Sequence, residues 1–360
     1  MFSVNDQMYM ARALQLAEQG LFTTDPNPRV GCVLVRDGVV VGEGWHRKAG
    51  QPHAEVEALR QAADQAYGST AYVTLEPCSH QGRTPPCTEA LINAGITKVV
   101  MAATDPNPLV NGKGAQALKA AGIEVLAGLM EDEAKALNVG FIKRMSSGLP
   151  WVRVKLAASL DGRTALANGV SKWISSAESR ADVQRWRARS SAILTGVGSV
   201  LADNPQLSVR DTEIELLGRQ PLRVICDSQL RMPHTAHLLH SDGVLIYTRA
   251  KSKSMGKAEV VQVAADDEDR VDLLAMLKDL AQRGCNEVLV EAGATLSGRL
   301  FQLGLVDELL LYVAPVLLGQ DARPLLRLPM IEHMNERVTL KLFECQPIGA
   351  DLRLRYQLQR

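Results

Sequence analysis

Apolar positions along the chain change period repeatedly, and each change marks an element. Residues 6–20 place Met10, Leu14 and Ala17 at helical spacing, with Met8 and Leu16 beside them and Gly20 at the end. That predicts a helix with one buried face. Thr24-Asp25-Pro26-Asn27-Pro28 is a turn with two fixed φ angles. Residues 30–35 are almost wholly apolar and read as a buried strand, Arg36-Asp37-Gly38 as a hairpin turn, and 39–45 as its partner. The pattern then alternates: helix 53–66, strand 71–75, helix 87–94, strand 98–103, helix 114–121, strand 123–126 and helix 131–141. Pro85 and Pro86 open the 87–94 helix and Gly95 closes it, as end preferences require. Alternating strands and helices make this half α/β.

Residues 144–150, small, polar and ending in Pro150, read as a linker. They divide the chain into domains of residues 1–147 and 148–360. Beyond them strands are expected at 151–158, 192–195, 222–227, 243–247, 287–291 and 308–313, and helices at 177–189, 271–283 and 296–303. Residues 340–345 and 351–357 read as a closing antiparallel pair, whereas the polar stretch 251–270 shows no period that assigns it. Internal repeats and low-complexity tracts are absent.

Composition changes the picture only by exclusion. The 360 residues are 46% hydrophobic and 22% charged, enough for a core in each half. Lys plus Arg and Asp plus Glu are 40 each, so net charge gives no reason to expect nucleic acid or an anionic membrane as partner. No basic start followed by an apolar run opens the chain, and no stretch is long and apolar enough to span a bilayer. Six cysteines without a secretory signal suggest reduced thiols and metal ligands in a cytoplasmic protein.

The chemistry concentrates between residues 53 and 87. His53, Cys78 and Cys87 form a three-ligand set for zinc, leaving a fourth tetrahedral position for water, and Glu55 is placed to move protons. On a regular helix His53 and Glu55 would diverge by about 200°. They can face one metal only at a helix N-terminus, which Pro52 favours. Cys87 also opens a helix, where unpaired N–H groups favour thiolate. The alternative is a closed structural site with His80 as fourth ligand, which leaves Glu55 and the Pro77-Cys78 context unexplained.

His-Ala-Glu followed by Pro-Cys and a second Cys resembles the cytidine-deaminase superfamily. One departure is informative, since eight residues separate Cys78 from Cys87 instead of the usual two. With Pro26-Asn27-Pro28, Gly31-Cys32-Val33, His46 and the 75–87 segment, it resembles the deaminase half of the bifunctional riboflavin-biosynthesis deaminase/reductase family. That resemblance implies a phosphoribosylated diaminopyrimidinone substrate contacted by Asn27, His46, His80 and Arg83.

The second half lacks Gly-x-Gly-x-x-Gly, so a Rossmann cofactor domain is not indicated. The cluster Glu291-Ala292-Gly293-Ala294-Thr295-Leu296-Ser297-Gly298 between strand and helix could cradle a diphosphate. The stretches 155–163, 171–175 and 198–205 are similar to the family's reductase domain. The resemblance implies a cytidine-deaminase-like α/β/α domain followed by a dihydrofolate-reductase-like α/β domain that uses NADPH to reduce ribosyl to ribityl. It implies cofactor contacts at Ala157, Trp173, Ser199, Asp203, Ser228, Gly293, Ala294, Thr295, Leu296, Ser297, Gly298 and Arg299. Substrate contacts are implied at Ser171, Arg187, Leu207, Arg210 and Glu291. Lys155, Asp203 and Glu291 are the proton-donor candidates, and Arg187 and Arg210 suit a phosphate. A small-molecule substrate and a homo-oligomer are expected. Two competing readings remain, a nucleic-acid deaminase with an accessory domain and a zinc-stabilised binding module.

Overall fold

The computed structural model describes residues 2–79, 85–107, 110–251 and 253–359. The chain divides into two compact units, Met1–Gly148 and Leu149–Arg360. Unit 1 runs α1 (Val4–Glu18), β1 (Gly31–Arg36), β2 (Val39–Trp45), α2 (Ala54–Ala62), β3 (Thr70–Leu75), α3 (Cys87–Asn93), β4 (Lys98–Ala103), α4 (Lys113–Ala120), β5 (Glu124–Ala127), α5 (Glu131–Leu137) and α6 (Val139–Ser147). Its sheet has the order β2-β1-β3-β4-β5, with β1 antiparallel to both neighbours and β3, β4 and β5 parallel.

The strand period decides which helix meets which face. Cys32 and Leu34 of β1 pack into the cluster shared with α2, α3 and α4, while Val33 and Val35 point into the one shared with α1 and α5. Helices on both faces make an α/β/α layer. Gly44 on β2 lets α2 lie close, since a Cβ there would sit 2.3 Å from the Ala54 carbonyl oxygen. The start of α2, with His53 ahead of it, is thereby held against the sheet.

Two expectations need correction. The 53–66 helix ends at Ala62, and Ala63–Ala66 continues as a 3₁₀ turn. The 131–141 helix is broken at Asn138, where α5 ends and α6 begins. The break has a cause 109 residues away in sequence: Arg29 N–H donates to Asn138 Oδ1 at 2.8 Å, and Asn138 Nδ2 donates back to the Arg29 carbonyl at 2.9 Å. The expected linker also shortens, because residues 144–147 are the last turn of α6, which Gly148 closes in the left-handed region at φ 69°.

Unit 2 runs β6 (Trp151–Ser159), β7 (Arg163–Ala165), α7 (Ala177–Arg189), β8 (Ala192–Gly196), α8 (Val197–Asp203), β9 (Leu222–Cys226), β10 (Val244–Thr248), β11 (Glu259–Gln262), α9 (Leu273–Gln282), β12 (Glu287–Val290), α10 (Ala294–Gln302), β13 (Glu308–Ala314), β14 (Arg323–Pro324), β15 (Leu340–Ile348) and β16 (Asp351–Leu358). Nine strands form one sheet in the order β11-β10-β9-β8-β12-β6-β13-β16-β15. The strands are parallel from β11 to β13, and β16 and β15 close it as the expected antiparallel pair. α9 and α10 cover one face, and α7 and α8 the other. β11 comes from the stretch that sequence periodicity left unassigned. Among the described residues no helix is long and apolar enough to cross a membrane.

On β6 the alternation sends Val152, Val154 and Leu156 into the main core. Arg153, between them, faces α7 with none of its surface exposed. It pairs with Glu287 at 2.9 Å and Glu308 at 2.8 Å, while the Trp186 ring lies 4.6 Å from its guanidinium. Burial pushes Glu308 up, but Arg153 and then Arg355 outweigh it and hold the carboxyl down at about 2. With its pKa depressed, Glu308 contributes stability fully above the unfolded carboxyl value of about 4.3. That contribution is lost as pH falls toward about 2. Arg153→Met should leave buried Glu287 with Arg189 alone and buried Glu308 with Arg355 alone, and cost unit 2 about 3–5 kcal/mol. Urea unfolding followed by tryptophan fluorescence checks this, and an unchanged midpoint would show that the pairing is stability-neutral.

Candidate active sites

In unit 1 three element ends converge. His53 is the N-cap of α2, with extended backbone at φ −78° and ψ 168°. Cys87 is the first residue of α3, and Cys78 lies three residues beyond β3. His53 Nδ1 is 3.1 Å from Cys87 Sγ and 3.6 Å from Cys78 Sγ, and all three ligand atoms lie within 4.8 Å of one another. Tetrahedral zinc with bonds of about 2.0–2.3 Å holds its ligand atoms about 3.3–3.8 Å apart, so this donor set fits the ion. The Cys87 backbone N–H donates to Cys78 Sγ at 3.3 Å, as expected where a helix begins beside a thiolate. Hydrogen bonds from the Cys87 thiol and then from His53 lower the Cys78 thiol to about 4. The proton it shares with Cys78, and then burial, raise Cys87.

Glu55, in the first turn of α2, is 3% exposed. Burial, then the charge of Cys78, pushes its carboxyl up to about 7. Behind the triad, His46 Nδ1 donates to the Pro52 carbonyl at 3.1 Å, which makes Nε2 the acceptor for Asn27 Nδ2 at 3.0 Å. Burial lowers the His46 pKa, in keeping with that neutral tautomer. Both ring nitrogens of His46 are engaged, whereas Asn27 keeps its Oδ1 and its second N–H. His80 and Arg83 lie outside the described residues. Sequence reasoning missed Glu76, whose carboxylate accepts the backbone N–H groups of Asp105, Gly112 and Ala115 at 3.2, 2.9 and 3.0 Å. It ties the chain ahead of Cys78 to the start of α4. The signal was a carboxylate closing an apolar strand directly before Pro77-Cys78.

In unit 2 a cavity of about 1320 Å³ opens at the C-terminal ends of the parallel strands, where open α/β sheets bind ligands. Lys155 and Ala157 of β6, Glu291 just past β12, Ser199 just past β8 and Ser228 just past β9 line it. So do Ser171, Trp173, Arg187, Asp203, Leu207, Arg210, Gly293, Ala294, Thr295, Leu296 and Arg299. Ser297 and Gly298 are buried and do not line it. Arg187 is bidentate on Glu291 at 2.6 and 2.9 Å and also donates to the Ser208 carbonyl at 3.1 Å, so its fork is filled. Arg210 is exposed, and its guanidinium meets the Gln206 side chain at 3.5 Å. Burial lowers the Lys155 amine, opposed by Glu291 and reinforced by Arg187. Leu207 also lines the cavity, although its side chain is buried, and its φ of 49° is in the left-handed region.

The lining suits a polyanionic cofactor. Among the described residues it carries ten Lys and Arg side chains against three carboxylates. A Cβ added at Gly198 or Gly293 would meet no atom within 4 Å, so both turns face open space. Sequence reading overlooked several of these cations, including Arg323 on the short β14 and Arg327 in the stretch after it, neither with a motif around it.

The model of the cytidine and deoxycytidylate deaminase zinc-binding region matches residues 3–103, and that of the RibD C-terminal domain matches residues 150–354. Riboflavin biosynthesis protein RibD of Escherichia coli K12 is 49% identical over 97% of this chain and 98% of its own length. The chain belongs to the RibD family. RibD of Acinetobacter baumannii superposes with a TM-score of 0.93 at 48% identity over 99% of both chains. A diaminohydroxyphosphoribosylaminopyrimidine deaminase/5-amino-6-(5-phosphoribosylamino)uracil reductase from Thermotoga maritima does so with a TM-score of 0.88 at 32% identity, again over 99% of both. As a RibD-family enzyme the chain joins a zinc-dependent deaminase to an NADPH-dependent reductase. The cytidine-deaminase-like and dihydrofolate-reductase-like fold expectation stands with it.

One zinc per chain is expected from the His53, Cys78 and Cys87 set, with metal analysis returning about one equivalent. Cys78→Ser should lose it. Normal zinc content in that variant would take Cys78 out of the ligand set.

Proposed function

We propose that residues 1–147 deaminate a phosphoribosylamino-diaminopyrimidinone to the aminouracil and that residues 148–360 reduce its ribosyl group to ribityl. The observation that carries the first half is a buried Glu55 beside a converged nitrogen and two-sulfur donor set. Zinc held by His53, Cys78 and Cys87 would supply Lewis acidity that makes water a nucleophile near neutral pH. Glu55 takes the proton that this water gives up and delivers it to the departing amino nitrogen. Water and the aminopyrimidine thus become ammonia and the carbonyl product. A carboxyl whose pKa sits near the working pH serves both transfers. Asn27 offers Oδ1 and one N–H to substrate, and His46 acts by holding that amide. His80 and Arg83 contact ribose and phosphate in this reading.

In the second site NADPH would supply the hydride for C1′ of the open-chain sugar imine. The imine nitrogen needs a proton, and Lys155, with a lowered pKa and Glu291 and Arg187 at hand, provides it. Arg210 and Ser171 take the substrate phosphate, and Leu207 lines the same pocket. Glu291 touches substrate while gripping Arg187. Ala157, Trp173, Ser199, Asp203, Ser228, residues 293–296 and Arg299 face the cofactor. A cytoplasmic setting agrees with six free cysteines.

We also propose a homo-oligomer formed through unit 2. β15 is the edge of the nine-stranded sheet, and Leu342 and Phe343 on it are each 48% exposed. Met330 and Met334, on the segment leading to it, are 82% and 75% exposed. An open edge beside apolar side chains calls for cover. Sedimentation should show an assembly that Phe343→Glu dissociates, and a monomeric native protein at micromolar concentration would end this reading.

The two activities should separate. Glu55→Gln should keep zinc, lose about 10²–10⁴-fold in ammonia release and still oxidise NADPH when given the deaminated intermediate. Lys155→Ala should do the reverse. In the native protein reduction should fall as pH rises through the Lys155 pKa, at values below the ordinary lysine range of about 10.4. Loss of reduction in folded Glu55→Gln would sink the two-site reading.

A further inference from the structure

Three of the cations around the cavity already have anionic partners. Arg187 is held by Glu291, and Arg270 and Arg299 are held by Asp266 and Glu268. Arg327 differs. It lines the cavity and is exposed, and among the described residues its guanidinium has no hydrogen-bond or ion-pair partner.

Its backbone, by contrast, is firmly seated. Leu325 and Leu326 pack on the main core, and the Arg327 N–H donates to the carbonyl of Ala294, the first residue of α10, at 3.1 Å. The seat exists because residue 298 is glycine. A Cβ there would stand 1.9 Å from the Arg327 carbonyl oxygen and 2.7 Å from its carbonyl carbon, and backbone cannot yield as a flexible side chain does. Gly298 itself does not line the cavity. A free cation is thus tethered to the start of α10, just after Gly293, which faces open space.

We propose that Arg327 binds the diphosphate of the nicotinamide cofactor and that Gly298 serves the cofactor by seating Arg327. This rests on the NADPH-dependent reductase reading of the cavity. Guanidinium and phosphate oxygens pair strongly where water is partly excluded. Tethering costs no further ordering of the backbone when the cofactor arrives.

The test is equilibrium binding of NADPH to the full-length protein, read by nicotinamide fluorescence without substrate. Arg327→Ala should weaken binding about tenfold or more, as loss of one charge-assisted contact does. Arg327→Lys should recover part of the loss. Gly298→Ala, in protein whose circular dichroism is native, should weaken NADPH in the same direction. Displacement of NADPH by adenosine 2′-monophosphate, which lacks the diphosphate, should give the same inhibitor constant in Arg327→Ala as in the native chain. Native affinity for NADPH in Arg327→Ala overturns the proposal. Equal weakening of adenosine 2′-monophosphate overturns the diphosphate assignment, and native affinity in Gly298→Ala overturns the seating role. If the native protein itself does not bind NADPH, the reading of the cavity fails instead.

Discussion

Arg153 has none of its surface in water, and unit 2 is arranged around keeping it paired. Desolvating such a cation costs several kcal/mol, as does desolvating each of Glu287 and Glu308. The pairing holds because further groups close over it. Arg189 meets Glu287 at 2.8 Å, Arg355 meets Glu308 at 2.7 Å, and the Trp186 ring lies between them. Trp186 and Arg189 belong to α7, so satisfying the buried charges also fixes that helix on the sheet. Arg187 directly follows Trp186 on that helix, and its fork closes on Glu291 at the cavity. The orientation of a cavity carboxylate therefore depends on ion pairs whose central residue does not line the cavity.

The same strand carries both roles. Along β6, Arg153, Lys155 and Ala157 fall on the α7 side, and Val152, Val154 and Leu156 on the core side. One period-2 alternation thus lays down a buried structural cation, a cavity cation over the Tyr312 ring and a small residue at the strand's end. Burial then differentiates them. Arg153 stays charged because two carboxylates answer it, whereas desolvation dominates at Lys155 and lowers its amine. In unit 1 the same force acts on the opposite charge type and raises Glu55. Desolvation is the common means by which both sites move an ordinary side chain toward neutral pH.

How much of this was legible depended on how local the cause was. His53, Glu55, Cys78 and Cys87 lie within one stretch, and metal chemistry restricts residue type, so the ligand set and its placement at helix starts could be read directly. The alternating elements were legible for the same reason, since period is local. Asn138 was not, because nothing near it in sequence announces that Arg29 will claim its amide and split the helix. The cavity residues of unit 2 were reached mainly through family resemblance, whose weak glycine cluster says little alone. Even then Ser297 and Gly298 were grouped with residues that face the cavity, because sequence adjacency on α10 does not reveal which side each presents. Arg327 had no motif at all, and only packing against Gly298 places it.

Charge shows the same limit at the scale of the whole chain. Equal numbers of acidic and basic residues argue against a polyanionic macromolecule as partner, yet they hide strong segregation within unit 2. Glu287, Glu308 and Asp182 are spent on Arg153, Arg355, Arg353 and Arg189 at the α7 and β16 side, away from the cavity. That leaves the cavity wall rich in Lys and Arg with few carboxylates to answer them. Such a wall is costly while it faces only water and its like charges, and it becomes favourable when phosphates enter. The buried network and the basic cavity are thus complementary. Anions confined to the structural side give the protein its neutral balance, and the cations left facing the cavity give it a site for a small, highly charged ligand.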